Sequence, residues 1–308
     1  MIQVLGKLLL LLCAMMLPSL VVALLYGEGD ASAFVYTIAL VLAVGLPMAL
    51  LAQPESRDMN AREGFVSVGM AWLLLSCFGA LPFMFSGTTV FYWDALFECV
   101  SGFTTTGASI LTQVENVPHG VLFWRSSTHW VGGMGVLVLT MAIMPRVSGR
   151  NSFLARAESP GPSYSKLLPR MVDTSRILYV IYFVMTLVLV GLLLLTGMPL
   201  FDALIHAMGT AGTGGFSSRN MSVGAYNNPW AEMIIMAFMF LFGTNFLVYF
   251  RLVRGEGWKA LNNDELKAYY LLGLGSIVVI ALEILPSYGD IFTALRHSSF
   301  QVSSIMST

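Results

Sequence analysis

The segment WDALFECVSGFTTTGAS, residues 93–109, decides the reading of this chain because it returns as FDALIHAMGTAGTGGFS at 201–217. An ungapped alignment places Asp94, Ala95 and Leu96 on Asp202, Ala203 and Leu204, and a glycine follows each aspartate by thirteen residues, Gly107 and Gly215. Both copies open as a short apolar helix, close in a run of threonine and glycine, and lie between two long apolar stretches. The repeating unit is therefore span, half-helix, glycine-containing loop, span, with a period of about 108 residues. A third copy begins with the apolar stretch 266–285 and continues into SSFQVSSIMST (298–308), in a frame that sets Phe300 on Phe97 and Thr308 on Thr105.

Outward from these loops the chain is 56% hydrophobic and 11% charged, whereas about a quarter of the residues of a soluble domain are charged. That balance excludes a water-soluble enzyme or nucleic-acid binder. Apolar runs near 3–26, 32–52, 64–86, 117–145, 175–197, 229–253 and 266–285 approach or exceed the roughly 20 residues that cross a bilayer core, which predicts seven spans. Segments 91–103, 200–211 and about 295–306 are too short to cross and too apolar for surface loops, and read as re-entrant half-helices. The expected fold is an all-α integral membrane protein with tandem helix, re-entrant pore loop, helix repeats around a cation pore. Its divisions are two N-terminal transmembrane helices at 1–55, a first pore repeat at 62–146, a second at 172–254 and an incomplete third at 264–308.

Charge sets the orientation. Thirteen of the sixteen Lys and Arg residues fall in the N-terminus and in 53–63, 146–176 and 251–267, which places those segments in the cytoplasm by the positive-inside rule. The other side carries Arg125, Arg219 and Arg296 against more numerous acids, among them Asp94, Asp202 and Glu232, so the half-helices enter from an outer face that attracts cations.

The loop composition suits a dehydrated cation, which a ring of backbone carbonyls can ligate without burying a fixed anion. Glycine allows consecutive carbonyls to turn toward one axis, and the hydroxyls of Thr104, Thr105 and Thr106 can hold the loop or serve as further ligands. Asp94 and Asp202 are expected to cap the half-helices, whose C-terminal ends present partial negative charge to the loop. Gly132, Gly133 and Gly135 read as close-packing positions, whereas Gly243, Thr244 and Asn245 interrupt a span and either face a cavity or bond to a neighbouring helix. Cys13, Cys77 and Cys99 show neither disulfide nor metal spacing and read as packing residues; the four histidines show no metal-ligand spacing and read as polar packing or interfacial groups.

At SGFTTTGAS (101–109), GTAGTGGFSS (209–218) and FQVSSIMST (300–308), and at REGF (62–65) leading into the first repeat, the sequence resembles the Trk/Ktr/HKT superfamily of potassium transporters, and most nearly its bacterial TrkH type. The resemblance runs through essentially the whole chain. It implies potassium uptake by a multi-pass protein of the bacterial inner (plasma) membrane, with potassium the transported ion and no cofactor. It also implies four tandem repeats with a pseudo-fourfold filter, a homodimer surrounded by membrane lipid, and a cytosolic RCK-type nucleotide-binding regulatory subunit; nucleic acid has no part. The potassium-binding residues so implied are Thr105, Thr106 and Gly107, Thr213, Gly214 and Gly215, and Thr308, with Thr104, Gly212 and Ser307 adjoining. Sodium-selective plant members typically carry serine where this chain has Gly107.

Channel and cation-coupled symport both fit these residues. The third repeat stops at Thr308, two residues short of its expected glycine, so the expectation is a C-terminally truncated form of a longer protein, with a non-conducting fragment as an alternative. An intramembrane enzyme using His206 or Ser101 is a further alternative, although no serine–histidine pair is recognisable from spacing and no HExxH occurs.

Overall fold

A computed structural model describes residues 2–51, 61–135 and 171–307, and among them every long regular element is an α-helix. In chain order these are α1 (Ile2–Tyr26), α2 (Ala31–Leu50), α3 (Ala61–Gly79), α4 (Leu81–Phe85), α5 (Tyr92–Phe103), α6 (His119–Gly133), α7 (Met171–Leu195), α8 (Leu200–Ala211), α9 (Pro229–Gly243), α10 (Phe246–Val253), α11 (Trp258–Leu261), α12 (Asp264–Tyr288) and α13 (Ile291–Ser307). The chain forms two compact units, Met1–Tyr179 and Val180–Thr308.

Five stretches among the described residues are long and apolar enough to cross a membrane: α1, α2, Val66–Phe85, Ser175–Leu195 and α12. Large side chains such as Leu25, Leu195 and Val279 are exposed on them, the expected state of a helix whose solvent is hydrocarbon. The prolines at 18 and 47 sit inside α1 and α2, a placement that membrane helices tolerate.

The third span breaks between α3 and α4 for a local reason. Pro82 has no N–H to give, and Phe83 N donates instead to Ala80 O, so Gly79 O leaves the helical ladder. Trp124 of α6 takes that carbonyl through its indole N–H at 2.8 Å. In this first unit α1 packs against α2, α3 and α6, while α5 lies against α3, α4 and α6.

The expected straight span at 229–253 is not straight. α9 and α10 meet at an 85° bend over Thr244 and Asn245. Thr244 has extended backbone, Asn245 leaves the helical region at ψ 117° and accepts a hydrogen bond from Leu247 N, and α10 begins anew under that cap. The polar side chains bond to α12: Thr244 Oγ1 lies 3.0 Å from the Tyr270 hydroxyl, and Asn245 Nδ2 donates to the Glu265 carboxylate at 3.3 Å. Of the two sequence readings for these residues, the structure shows the interhelical one.

The expected span 117–145 is described as α6, fifteen residues, and its part beyond Gly135 lies outside the described residues. In the second unit α8 packs on α9, and α13 lies against both α9 and α12. An ion pair between Arg296 of α13 and Glu232 of α9 at 3.2 Å joins two of these helices.

Candidate functional site

α5 and α8 are each twelve residues long, about 18 Å at the helical rise, so neither crosses a bilayer. α13 has seventeen residues and starts at Ile291, earlier than the sequence suggested. Asp290 explains the early start, because its Oδ2 accepts from both Thr293 N and Thr293 Oγ1. Those bonds hold the Asp290 carboxyl below the usual carboxylate range.

The expected caps Asp94 and Asp202 take different places. The N-cap positions are Phe91 and Pro199, neither making a side-chain cap bond, and both aspartates stand within the first turn. There they still complement the positive end of the helix dipole. Asp202 is buried and accepts from Ser218 Oγ at 2.5 Å, so its carboxylate serves the far side of the loop rather than the helix start.

The two loops have the same backbone. Thr104 and Gly212 end their helices with ordinary negative φ, Thr105 and Thr213 follow at φ 56° and 57°, and Gly107 and Gly215 at φ 74° and 79°. Thr106 and Gly214, between them, do not have positive φ. The hydrogen bonds match as well. Thr105 N donates to Gly102 O and Thr106 N to Ser101 O; Thr213 N donates to Thr210 O and Gly214 N to Gly209 O. A β-branched residue in the left-handed region is a genuine outlier, and two at equivalent positions mark an imposed conformation.

The amides of 104–106 and 212–215 are used, but the carbonyls of these turns are not. Among the described residues no hydrogen bond takes the main-chain oxygens of 104–107 or 212–215. The threonine hydroxyls hold the first loop. Thr104 Oγ1 donates to Val100 O at 2.7 Å, which obliges Thr106 Oγ1, 2.8 Å away, to donate to Thr104.

The descending limb of each loop is tied back to its half-helix. In the first, Ser101 Oγ donates to Ala108 O at 2.6 Å, Ser109 Oγ donates to Glu98 Oε1 at 2.9 Å, and Ile110 N donates to Glu98 Oε2 at 3.2 Å. Glu98 is fully buried and paired with buried Arg125 of α6, whose Nε lies 2.5 Å from Oε1. In the second loop Ser217 Oγ lies 3.0 Å from His206 Nε2, and Gly209, the counterpart of Ser101, has so little room that a Cβ there would come 2.7 Å from Phe216 O. Ser101 and His206, the two groups considered for catalysis, are thus both engaged in holding loops.

Gly132 fulfils its sequence reading: a Cβ on it would collide with Phe103 O, so α6 can reach the end of the first half-helix only as glycine. At Gly243 in the second unit a Cβ would crowd only the hydroxyl end of Tyr269 and touch Ser307 at ordinary van der Waals distance. Thr213, Gly214 and Gly215 border a cavity of about 240 Å³ whose lining also includes Phe300, Ser304 and Ser307 of α13. Thr308 lies outside the described residues.

Other polar groups are structural. His119 bonds Glu28 and stacks on Tyr26 with ring centroids 3.9 Å apart, and His297 stacks on Tyr288. The cysteines are free, Cys13 and Cys99 buried and Cys77 half-buried. No cluster of three or more His, Cys, Asp or Glu residues suited to a metal occurs among the described residues.

Sequence reasoning missed Glu98, the Glu98–Arg125 pair and the His206–Ser217 contact. A carboxylate aligns with an imidazole, so identity matching passes over the position; the serine eleven residues later in both copies, Ser109 and Ser217, was the available signal.

These features define an all-α, multi-pass membrane protein whose short half-helices feed strained, carbonyl-presenting loops. A family model described as TrkH, cation transport protein, matches residues 31–305. The chain belongs to this TrkH family, a family of transporters rather than enzymes. It is 36% identical to the Trk system potassium uptake protein TrkH of Salmonella typhimurium over 99% of its own length and 64% of that protein. It is 35% identical to the Trk system potassium uptake protein TrkG of Escherichia coli, covering 94% of this chain and 61% of that one. The crystal structure of the potassium transporter TrkH from Vibrio parahaemolyticus superposes with a TM-score of 0.86 at 29% identity, over 99% of this chain and 63% of that one. The chain therefore spans just under two thirds of the length of these relatives.

Proposed function

We propose that this protein takes up potassium ions across the bacterial inner membrane, driven by the membrane potential, as the membrane subunit of a Trk-type system. The observation that carries the reading is the pair of equivalent loops with left-handed backbone at Thr105 and Gly107 and at Thr213 and Gly215, their carbonyls unclaimed by the described residues. A potassium ion gives up its water only where several oxygens replace it, and a carbonyl ring does so without the cost of a buried anion. Thr105, Thr106, Gly107, Thr213, Gly214 and Gly215 supply such oxygens, with Thr308 as the contribution of the third repeat. The C-terminal ends of α5 and α8 each direct partial negative charge at their own loop.

The repeats 62–146, 172–254 and 264–308 are the units that each carry one such loop, after the two N-terminal helices of 1–55. The names of the relatives support potassium as the ion. A homodimer in lipid, regulated by a cytosolic nucleotide-binding subunit of RCK type, completes the system.

Growth in limiting potassium tests the function. A bacterial strain lacking its own potassium-uptake systems, supplied with this protein expressed from its own coding region, is expected to grow where the empty strain does not. Absence of rescue with the protein present in the membrane would reject the reading.

A further inference from the structure

We infer that Glu98–Ser109 and His206–Ser217 are two versions of one staple that fixes the descending limb of each loop and thereby sets ion discrimination. Glu98 and His206 occupy the same register of their half-helices, 108 residues apart, and Ser109 and Ser217 repeat at the same interval. The inference rests on the filter reading of the loops and names the residues that position it.

The hydrogen-bond directions are forced. Ser109 Oγ accepts from Leu111 N at 3.1 Å, and the Glu98 carboxylate has no proton to give when paired with Arg125, so the serine hydroxyl donates to Glu98. In the second loop Ser217 Oγ accepts from Arg219 N at 3.0 Å. His206 Nδ1 lies 2.8 Å from Asp202 O, a group that only accepts, so Nδ1 carries a proton, and in the neutral imidazole Nε2 is then the acceptor. Ser217 therefore donates to Nε2 at 3.0 Å. Each serine accepts from the amide two residues ahead and donates to the half-helix, and the half-helix position must offer an acceptor. Glutamate and neutral histidine both do. Gln301, in the same register of α13 under the frame that matches Phe300 to Phe97, brings another acceptor oxygen.

The staple stands where the filter needs support. Carbonyls turned toward a common axis repel one another until an ion sits between them, and Ala108 alone separates Gly107 from Ser109. Glu98 holds the limb twice, through Ser109 and Ile110, and Arg125 fastens the same carboxylate to α6. Ser218, bonded to Asp202, gives the second limb its second hold. A limb released at Ser109 or Ser217 loses the hold nearest the glycine that reaches back to the Glu98 or His206 position and keeps the weaker remainder, Ile110 N on Glu98 or Ser218 on Asp202, so the left-handed turn can relax and the carbonyl spacing is less tightly fixed.

The test is the potassium-over-sodium ratio of uptake in competition, measured with protein expressed from its own coding region. Glu98→Gln leaves Arg125 without its charge partner and risks the fold, so Ser109→Ala and Ser217→Ala carry the decision. Each is expected to lower the ratio about five-fold, the factor equivalent to one ordinary hydrogen bond, with membrane abundance and thermal midpoint near wild type. Ser109→Thr and Ser217→Thr, which keep the hydroxyl, are expected to restore it. An unchanged ratio in the double Ser→Ala variant at normal abundance overturns the staple, as does a drop that threonine does not rescue. A wild type that prefers sodium overturns the potassium reading while the same variants still judge the staple by the sodium preference; a wild type that carries neither ion overturns both.

Discussion

Thr105 and Thr213 hold a backbone that L-residues avoid at a cost of roughly 1–2 kcal/mol each, and the bonds from 105 N to 102 O and from 213 N to 210 O keep them there. Gly107 and Gly215, two residues on, reach φ 74° and 79° without that cost. A side chain at 107 would add strain of similar size and push the loop toward a negative φ, moving the carbonyls proposed to bind the ion. Gly107→Ser is therefore expected to reduce potassium-over-sodium discrimination, read from reversal potentials or competitive uptake, in a protein that still reaches the membrane. A variant with wild-type discrimination would remove Gly107 from the filter. The threonines and glycines of the loops were legible because repetition exposes them. Glu98, His206 and Arg125 were not, since the half-helix position requires only an acceptor, which several residue types satisfy, and Arg125 looked like one of three stray outer cations until Glu98 was found beside it.

At the scale of elements, hydropathy locates where chain enters hydrocarbon but says nothing of the axis it follows. α1, α2, α7 and α12 were readable as spans because uniform apolar composition and helical propensity agree along their whole length. The run 229–253 has the same hydropathy, yet Gly243, Thr244 and Asn245 allow the backbone to leave the helix and cap a new one. The bend depends on Asn245, which accepts from Leu247 N at 3.0 Å and donates to Glu265 of α12. Asn245→Ala removes both, costing about 1 kcal/mol for the cap alone. The thermal midpoint of the detergent-solubilised protein is expected to fall by a few degrees. An unaltered midpoint would mean that the bend is held by the packing of Phe242 and Phe246 against Tyr182 instead.

For the whole molecule, orientation rests on charge. Arg146, Arg150, Arg156, Lys166 and Arg170 lie outside the described residues, and Arg176 begins the described exposed surface of α7. Their number between two spans is the strongest positive-inside signal in the chain, and it assigns this segment to the cytoplasm and the half-helix loops, by expectation, to the opposite side. Single cysteines at Ser152 and Ser163 decide the matter. The native thiols interfere little, since Cys13 and Cys99 are buried, and a Cys77→Ala background removes the half-buried third. A membrane-impermeant maleimide is expected to leave Ser152→Cys and Ser163→Cys unmodified in intact cells and to label both in inverted vesicles. Labelling in intact cells would reverse the topology, placing the acidic loops inside and the basic segment outside, and the direction of ion entry proposed through Thr105–Gly107 and Thr213–Gly215 would reverse with it.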